Sequence, residues 1–207
     1  MPVTRRAQHA EDTRKSLLDA SRHEFATKGY AGASLDDIAT RARVTKGALY
    51  HHFANKAALL EALYVELERE VAVRVQTAIE RAGTNAMARV AAAFDAFFDA
   101  SADPTYQRVV LRDAPGVLGR TKGRGLDHEI GLDLVIALIE DMRRDGIIGD
   151  VPVMMAARIF LAAVSEVAMA SAHSEDPQAT RRDGTFVLLT IIEGVRLAST
   201  GGAARPS

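Results

Sequence analysis

Between Ser34 and Lys56 the chain carries two short amphipathic periods joined by a tight turn, SLDDIATRARVTKGALYHHFANK, and no other stretch narrows the possible folds as much. The first period opens at Ser34. Its hydroxyl is placed to accept the backbone N–H three residues on while Asp37 reaches back, the Ser-x-x-Asp form of a capping box. Leu35, Ile38, Ala39 and Ala42 then share one helical face. The second period opens at Thr45, a favoured N-cap, and turns Leu49 and Phe53 inward at a spacing of four. This pattern predicts a helix-turn-helix whose outward side holds Lys46, Gly47, Ala48, Tyr50 and His51. The first turn of such a second helix is the part that meets base edges in a major groove. Gly47 and Ala48 are small enough to let the backbone come close, and Lys46 can donate to guanine O6 or N7, or to phosphate. Tyr50 and His51 suit phosphate oxygens, contacts that position a protein without reading sequence.

The run from Thr45 to Phe53, closed by Lys56 and preceded by Ile38, Ala39, Ala42 and Val44, resembles the DNA-binding signature of the TetR family of transcriptional regulators. The resemblance extends from about Thr13 to Leu63; beyond that it is one of architecture and length. It implies that Thr45, Lys46, Gly47 and Ala48 face the operator, that Tyr50, His51 and Lys56 hold its phosphates, and that Ser34 joins the DNA-binding set. One position departs from the family pattern. Arg43 stands where similar proteins usually have glycine, so the turn either avoids a positive φ or accepts strain, and Arg43 is a further candidate for a phosphate.

Residues 1 to 10, with Pro2, Arg5, Arg6 and His9, lack periodicity and read as a mobile arm, either a disordered terminus or a segment that enters a narrow minor groove. Helix 1 is expected from about Glu11 to Lys28, with Leu17, Leu18, Ser21 and Phe25 inward and Gly29 ending it. Asn55 is expected to cap a long helix 4, in which Leu59, Leu60, Leu63, Leu67, Val71, Val75 and Ile79 recur until Gly83, a rod of about 40 Å. Lys56 in its first turn opposes the helix dipole; phosphate binding is one reason to tolerate it, and an ordinary surface lysine is the other reading. Helix 5 (about Ala86 to Ala100) carries Val90, Phe94, Phe97 and Phe98, and a short helix 6 starts at Pro104. Arg112 to Gly125 reads as a connector or binding loop, where Arg112, Arg120, Lys122 and Arg124 are the first places to seek an anionic effector. Helix 7 follows from about Leu126 to Arg144, with Leu132, Val135, Ile136 and Ile139 inward.

Helix 8 (Pro152 to about His173) and helix 9 (about Ala179 to Ser199) are apolar around most of their circumference: Ile159, Phe160, Ala163, Val164 and Val167 on one, Val187, Leu188, Ile191, Ile192 and Val195 on the other. Such helices need burial on two sides, and a copy of the pair across a two-fold axis supplies the second as a four-helix bundle. The expected architecture is therefore all-α, with about nine helices: a DNA-binding domain over residues 1–60, and a helical effector-binding and dimerisation domain over residues 61–207.

Composition limits the chemistry. At 207 residues and 48% hydrophobic content the chain can bury a substantial core. Its lack of cysteine excludes disulfides, thiol catalysis and Cys-type zinc sites, and fits a reducing cytoplasm. Up to Lys56 there are ten Lys and Arg against six Asp and Glu, and afterwards sixteen against twenty-one, so a basic third precedes an acidic remainder. Residues 1 to 30 hold no apolar run of signal-peptide length. Met154 to Ala172 is apolar enough to be considered for a membrane, but Arg158 and Glu166 would each cost about 2.5–3.5 kcal/mol there, so the segment reads as a buried soluble helix in which Glu166 is an intrahelical or intersubunit hydrogen-bond partner for Arg158 or a serine. No phosphate loop, dinucleotide fingerprint, zinc-protease motif or nucleophile elbow is present. His51 and His52 diverge by about 100° around a helix, and His23, His128 and His173 are dispersed, so neither metal nor cofactor is expected.

These features and the resemblance lead to a homodimeric regulator that reads a palindromic double-stranded operator through two recognition helices about 34–36 Å apart. The resemblance implies an effector pocket between helices 4 and 7, roofed by helices 5, 6 and 8. Phe94, Phe97, Phe98, Tyr106, Val135, Ile139, Phe160 and Val164 are its candidate walls, an apolar set suited to a small hydrophobic molecule that releases a repressor. Two rivals are a helical-bundle enzyme, for which convergent acids or histidines are missing, and a DNA-architectural helix-turn-helix protein without an effector.

Overall fold

The computed structural model describes the backbone of residues 5–200 and the side chains of residues 7–119 and 131–199. Every regular element among them is helical: α1 (Arg5–Gly32), α2 (Leu35–Arg41), α3 (Lys46–His52), α4 (Lys56–Arg81), α5 (Ala86–Ser101), α6 (Pro104–Tyr106, continued through Gln107–Asp113 and Ala114–Leu118), α7 (Arg120–Arg144), α8 (Val153–His173) and α9 (Pro177–Thr200). The chain divides into two compact units, Met1–Leu67 with Asp103–Gly123, and Glu68–Ala102 with Arg124–Ser207. Helix α4 runs unbroken from one into the other.

Side-chain caps decide where most of these helices begin. Ser34 Oγ accepts from Asp37 N at 3.0 Å, Thr45 Oγ1 from Ala48 N at 3.1 Å, Asn55 Oδ1 from Ala58 N at 2.8 Å and Asn85 Oδ1 from Ala88 N at 2.9 Å. Each satisfies an orphan N–H and contributes about 1 kcal/mol. The return half of the expected capping box is not made, because Asp37 instead accepts from Lys28 Nζ at 2.9 Å. Glycines mark the other ends. Gly29 (φ 70°) breaks α1 where the apolar period stops, and Gly146 (φ 69°) closes α7, with its N–H on Arg143 O and the next on Met142 O.

In the first unit, Leu17, Phe25, Ile38, Leu49, Leu59, Leu60 and Leu63 are fully buried, and Ser21 satisfies its buried hydroxyl by donating to Leu18 O. Helix α6 belongs to this unit. The Tyr30 N–H donates to Asp113 Oδ2 at 2.7 Å, and the Arg108 guanidinium lies so close to Gly29 that a Cβ there would collide with it. Residues Gln107–Asp113 form wider π-type turns, a feature often found where a helix has a functional constraint.

The second unit is built around Val71, Val75 and Ile79 of α4, Val90, Phe94 and Phe98 of α5, and Leu138, Ile139 and Met142 of α7. Helices α8 and α9 pack closely enough that a Cβ on Gly184 would strike Val167. Arg181 ties α9 to α5 through Asp99 (2.5 Å) and Asp95 (3.3 Å), with its guanidinium 5.5 Å from the centre of the Phe98 ring.

Three expectations are corrected. The N-terminal arm is helical from Arg5, six residues before the expected start of helix 1 at Glu11; residues 1–4 and the side chains of Arg5 and Arg6 lie outside the described residues. The connector from Arg112 to Gly125 is helical apart from Gly119, whose φ of 80° separates α6 from α7. Arg112 has a partner, and the side chains of Arg120, Lys122 and Arg124 lie outside the described set. Glu166 is exposed, as is Arg158, because the buried stripe of α8 runs through Ala157, Val164, Ala168 and Ala172. Ile159 and Val187, on the apolar circumferences of α8 and α9, face outward in the single chain, at 57% and 53% exposure.

Candidate nucleic-acid interface

Helix α3 is fixed from within by two side chains, Leu49 at 0% and Phe53 at 4% exposure. Leu49 anchors the helix and Phe53 follows it at the C-cap, where the Arg14 guanidinium of α1 lies 5.4 Å from the ring centre. With that face committed to the core, helical geometry turns the opposite face out. Thr45, Lys46, Gly47, Tyr50 and His51 are exposed and Ala48 is half-buried. Six of the eight residues expected to contact DNA therefore share one surface strip.

The turn between α2 and α3 resolves the question at Arg43. Its φ is +58°, the left-handed region, and two hydrogen bonds hold it there: Arg43 N to Thr40 O at 3.1 Å and Val44 N to Ala39 O at 3.0 Å. This pairing is a Schellman closure of α2, in which the residue after the cap is normally glycine. The chain accepts the strain and places an exposed guanidinium at the tip of the turn.

Charges brace this module. Glu24 is buried between Lys28 (2.7 Å) and Arg41 (2.9 Å), which hold its carboxyl below the usual carboxylate range, Lys28 contributing most. Lys28 also bridges to Asp37, so α1 and α2 are joined by a four-member chain of alternating sign. Lys56 has an internal role too: its ammonium donates to Tyr30 O at 2.7 Å and Ala33 O at 2.9 Å and sits 4.5 Å from the centre of the Tyr30 ring. One of its three donors is left for an external ligand. Ser34, although exposed, uses its oxygen as the α2 cap.

Sequence reasoning misses Asp36. From the first turn of α2 its carboxylate meets Lys46 Nζ at 2.7 Å, and the pairing raises the lysine above its ordinary pKa. A signal exists in principle: when the two helices of a helix-turn-helix are superposed on their caps, Ser34 and Thr45, both residues fall in a first turn. Sequence distance alone gives no reason to connect them.

The expected effector wall is divided. Tyr106 belongs to the first unit and is buried there. In the second unit Phe94, Phe98, Ile139 and Val164 are buried, while Phe97, Val135 and Phe160 are half-buried. Phe98 touches both other phenylalanines, with ring centres 6.3 Å from Phe94 and 5.6 Å from Phe97. Ile139 and Phe160 meet instead in a separate apolar seam with Met142, Ile148, Ile192 and Val195, whose free volume of about 10 Å³ leaves room for no more than one water molecule. No cluster of His, Asp or Glu able to hold a metal occurs among the described residues.

Comparison with known proteins agrees with this architecture. Residues 17–63 match the N-terminal model of the bacterial regulatory proteins of the tetR family, and residues 87–195 match a tetracyclin repressor-like C-terminal domain. A TetR-family transcriptional regulator from Pectobacterium atrosepticum is 30% identical, covering 93% of this chain and 97% of its own, with a TM-score of 0.79. The Tn10 TetC protein of Escherichia coli is 30% identical over 112 residues, 54% of this chain and 56% of TetC. The regulator TtgR of Pseudomonas putida is 44% identical over 61 residues, 30% of this chain and 29% of TtgR. The chain thus spans about half, or less, of the curated relatives it matches. It belongs to the TetR family of helix-turn-helix transcriptional regulators, a family of regulators rather than enzymes.

Proposed function

We propose that this protein is a cytoplasmic, homodimeric repressor that binds a palindromic operator and leaves it when a small hydrophobic molecule binds. Residues 1–60 read DNA, and residues 61–207 sense the effector and pair the subunits. Thr45, Lys46, Gly47 and Ala48 approach the bases, Tyr50 and His51 hold phosphates, and Ser34 and Lys56 fix the helices that carry them, Lys56 keeping one donor for the DNA.

The observation that carries this reading is Gly47. A glycine costs a helix up to about 1 kcal/mol relative to alanine. Nothing inside the chain calls for it: its φ is not positive, it is exposed, and a Cβ there would meet only Thr45 Oγ1, at 3.9 Å. The absence of a side chain at this point is explained by something outside that must come close. Pairing through α8 and α9 is supported by the apolar side chains they leave in solvent, Met154, Met155 and Ile159 on one and Phe186, Val187, Leu189, Ile191 and Leu197 on the other. The aromatic cluster of α5, Phe94, Phe97 and Phe98, supports an apolar or aromatic effector; coupling of about 1–3 kcal/mol would lower operator affinity about 5- to 150-fold.

Gly47→Ala separates the two roles of the position. It should raise thermal stability slightly, and it should weaken binding to a palindrome that the wild-type protein protects from nuclease. A variant that binds as well as wild type would remove the main support. If the wild-type protein shows no preference for that palindrome over competitor DNA, and no small molecule weakens binding, the architectural rival is the better description.

A further inference from the structure

We infer that Asp36 is a specificity-determining residue for DNA recognition, acting as a positioning residue that holds the Lys46 ammonium toward base edges and withholds it from phosphates. The inference rests on the assignment of α3 to DNA reading. Asp36 stands on α2 and Lys46 on α3, both in first turns; their side chains are 65% and 59% exposed, yet they meet at 2.7 Å. A carboxylate is out of place on a surface meant for a polyanion. It repels phosphate, and its own energetic return as an exposed ion pair is small.

Its effect on the lysine gives it a purpose. An ammonium has three donors. Asp36 occupies one and fixes the direction of the remaining two, the number that guanine O6 and N7 accept together in the major groove. Without Asp36 the lysine is a free cation on a four-carbon stem, able to settle on whichever phosphate is nearest. Asp36 therefore lowers affinity for any duplex, and lowers it less where a guanine edge lies beneath Lys46.

The test compares wild type and Asp36→Asn on two probes: a duplex recovered from a randomised pool by the wild-type protein, and a scrambled duplex of the same composition. Releasing one lysine to a phosphate frees about 0.9 of a counterion, which at 0.1 M salt amounts to about eightfold in affinity. Asp36→Asn should tighten binding to the scrambled duplex by about that factor and steepen its salt dependence by about 0.9 in the log–log slope. The selected duplex should gain less, so the ratio of the two affinities falls. Asp36→Glu should restore the ratio. In a Lys46→Ala background the asparagine should no longer change the ratio of the two affinities, leaving only the relief of direct repulsion, equal on both probes, and Glu175→Gln, an equal charge change on an exposed residue of the α8–α9 connection, should not reproduce the change in ratio.

Equal gains on both probes would reduce Asp36 to simple charge repulsion and overturn the inference, as would unchanged binding to the scrambled duplex. Failure of the wild-type protein to recover any preferred duplex would instead overturn the DNA-reading assignment beneath it, a result visible before any variant is made.

Discussion

The helix-turn-helix and the α8–α9 pair solve the burial problem in opposite ways. In the first unit the large apolar residues of α1 to α3 are taken in: Leu17, Phe25, Ile38 and Leu49 have no exposure, and even a carboxylate, Glu24, is enclosed with two cations. In the second unit α9 buries Leu188 and Ile192 but leaves Phe186 at 71% and Leu197 at 58% exposure, and α8 does the same with Met155 and Ile159. One module is complete as a single chain, and its exposed face is polar. The other leaves large apolar side chains in solvent, the surface that the proposed pairing of α8 and α9 would cover. The contrast teaches that a polar face and an apolar face can each be a binding surface, distinguished by what the chain gives up to present it.

The largest effect that would break this comparison is at the apolar face. Phe186→Asp combined with Ile159→Asp should raise the dimer dissociation constant by at least about 30-fold, or about 2 kcal/mol, the scale of a single interface hot spot. Sedimentation would follow the shift to monomer at micromolar concentration. If the double variant sediments as wild type, α8 and α9 are not the pairing surface.

A smaller effect, on the other module, is expected from Glu24→Gln. Both partners, Lys28 and Arg41, are half-exposed and can turn to water, so the loss is about 1–2 kcal/mol rather than the full cost of orphaning buried charges. The pH dependence has a definite sign. Because the folded carboxyl is held below its ordinary value, Glu24 stabilises the fold above about pH 4.3, and that contribution is lost as pH falls through the depressed folded value. The acid limb of the wild-type stability curve should therefore be steeper than that of the glutamine variant. Equal limbs would show that the pair is not maintained in solution.

The difference between the two modules also explains how much of the fold is legible in the sequence. Caps and apolar periods are local, so Ser34, Thr45 and Asn55 locate α2, α3 and α4, and the seven apolar positions of α4 from Leu59 to Ile79 are all buried. Features set by partners distant in sequence are not readable. Arg112 to Gly125 contains Pro115 and several glycines, which locally argue for a loop; yet Pro115 is carried inside α6, directly after the π-type turns of Gln107–Asp113 and at the start of Ala114–Leu118. Glu166 reads as buried because its neighbours are apolar, but those neighbours include the face that this chain leaves open. Lys56 has a similar lesson. Its position against the dipole of α4 is accounted for by two carbonyls, of Tyr30 and Ala33, at the corner where α1 gives way to α2.

The smallest expected effect is at Arg43, where the first module departs from its own economy. A non-glycine residue at φ +58° carries a strain of about 1 kcal/mol, and the Schellman hydrogen bonds that enforce it are present whatever the side chain. Arg43→Gly removes the clash of the Cβ but gives the unfolded chain more freedom, a partial offset. The net expectation is a gain of several tenths of a kcal/mol in thermal unfolding, with α2 and α3 unchanged. If the guanidinium serves a phosphate, the same variant should lose affinity for selected and scrambled duplexes alike, since a phosphate contact carries no sequence information. A variant that is both more stable and equally tight would show that the strain has no function on DNA. A variant that is less stable would show that Arg43 makes a compensating contact within the fold, one that outweighs the strain of its left-handed backbone.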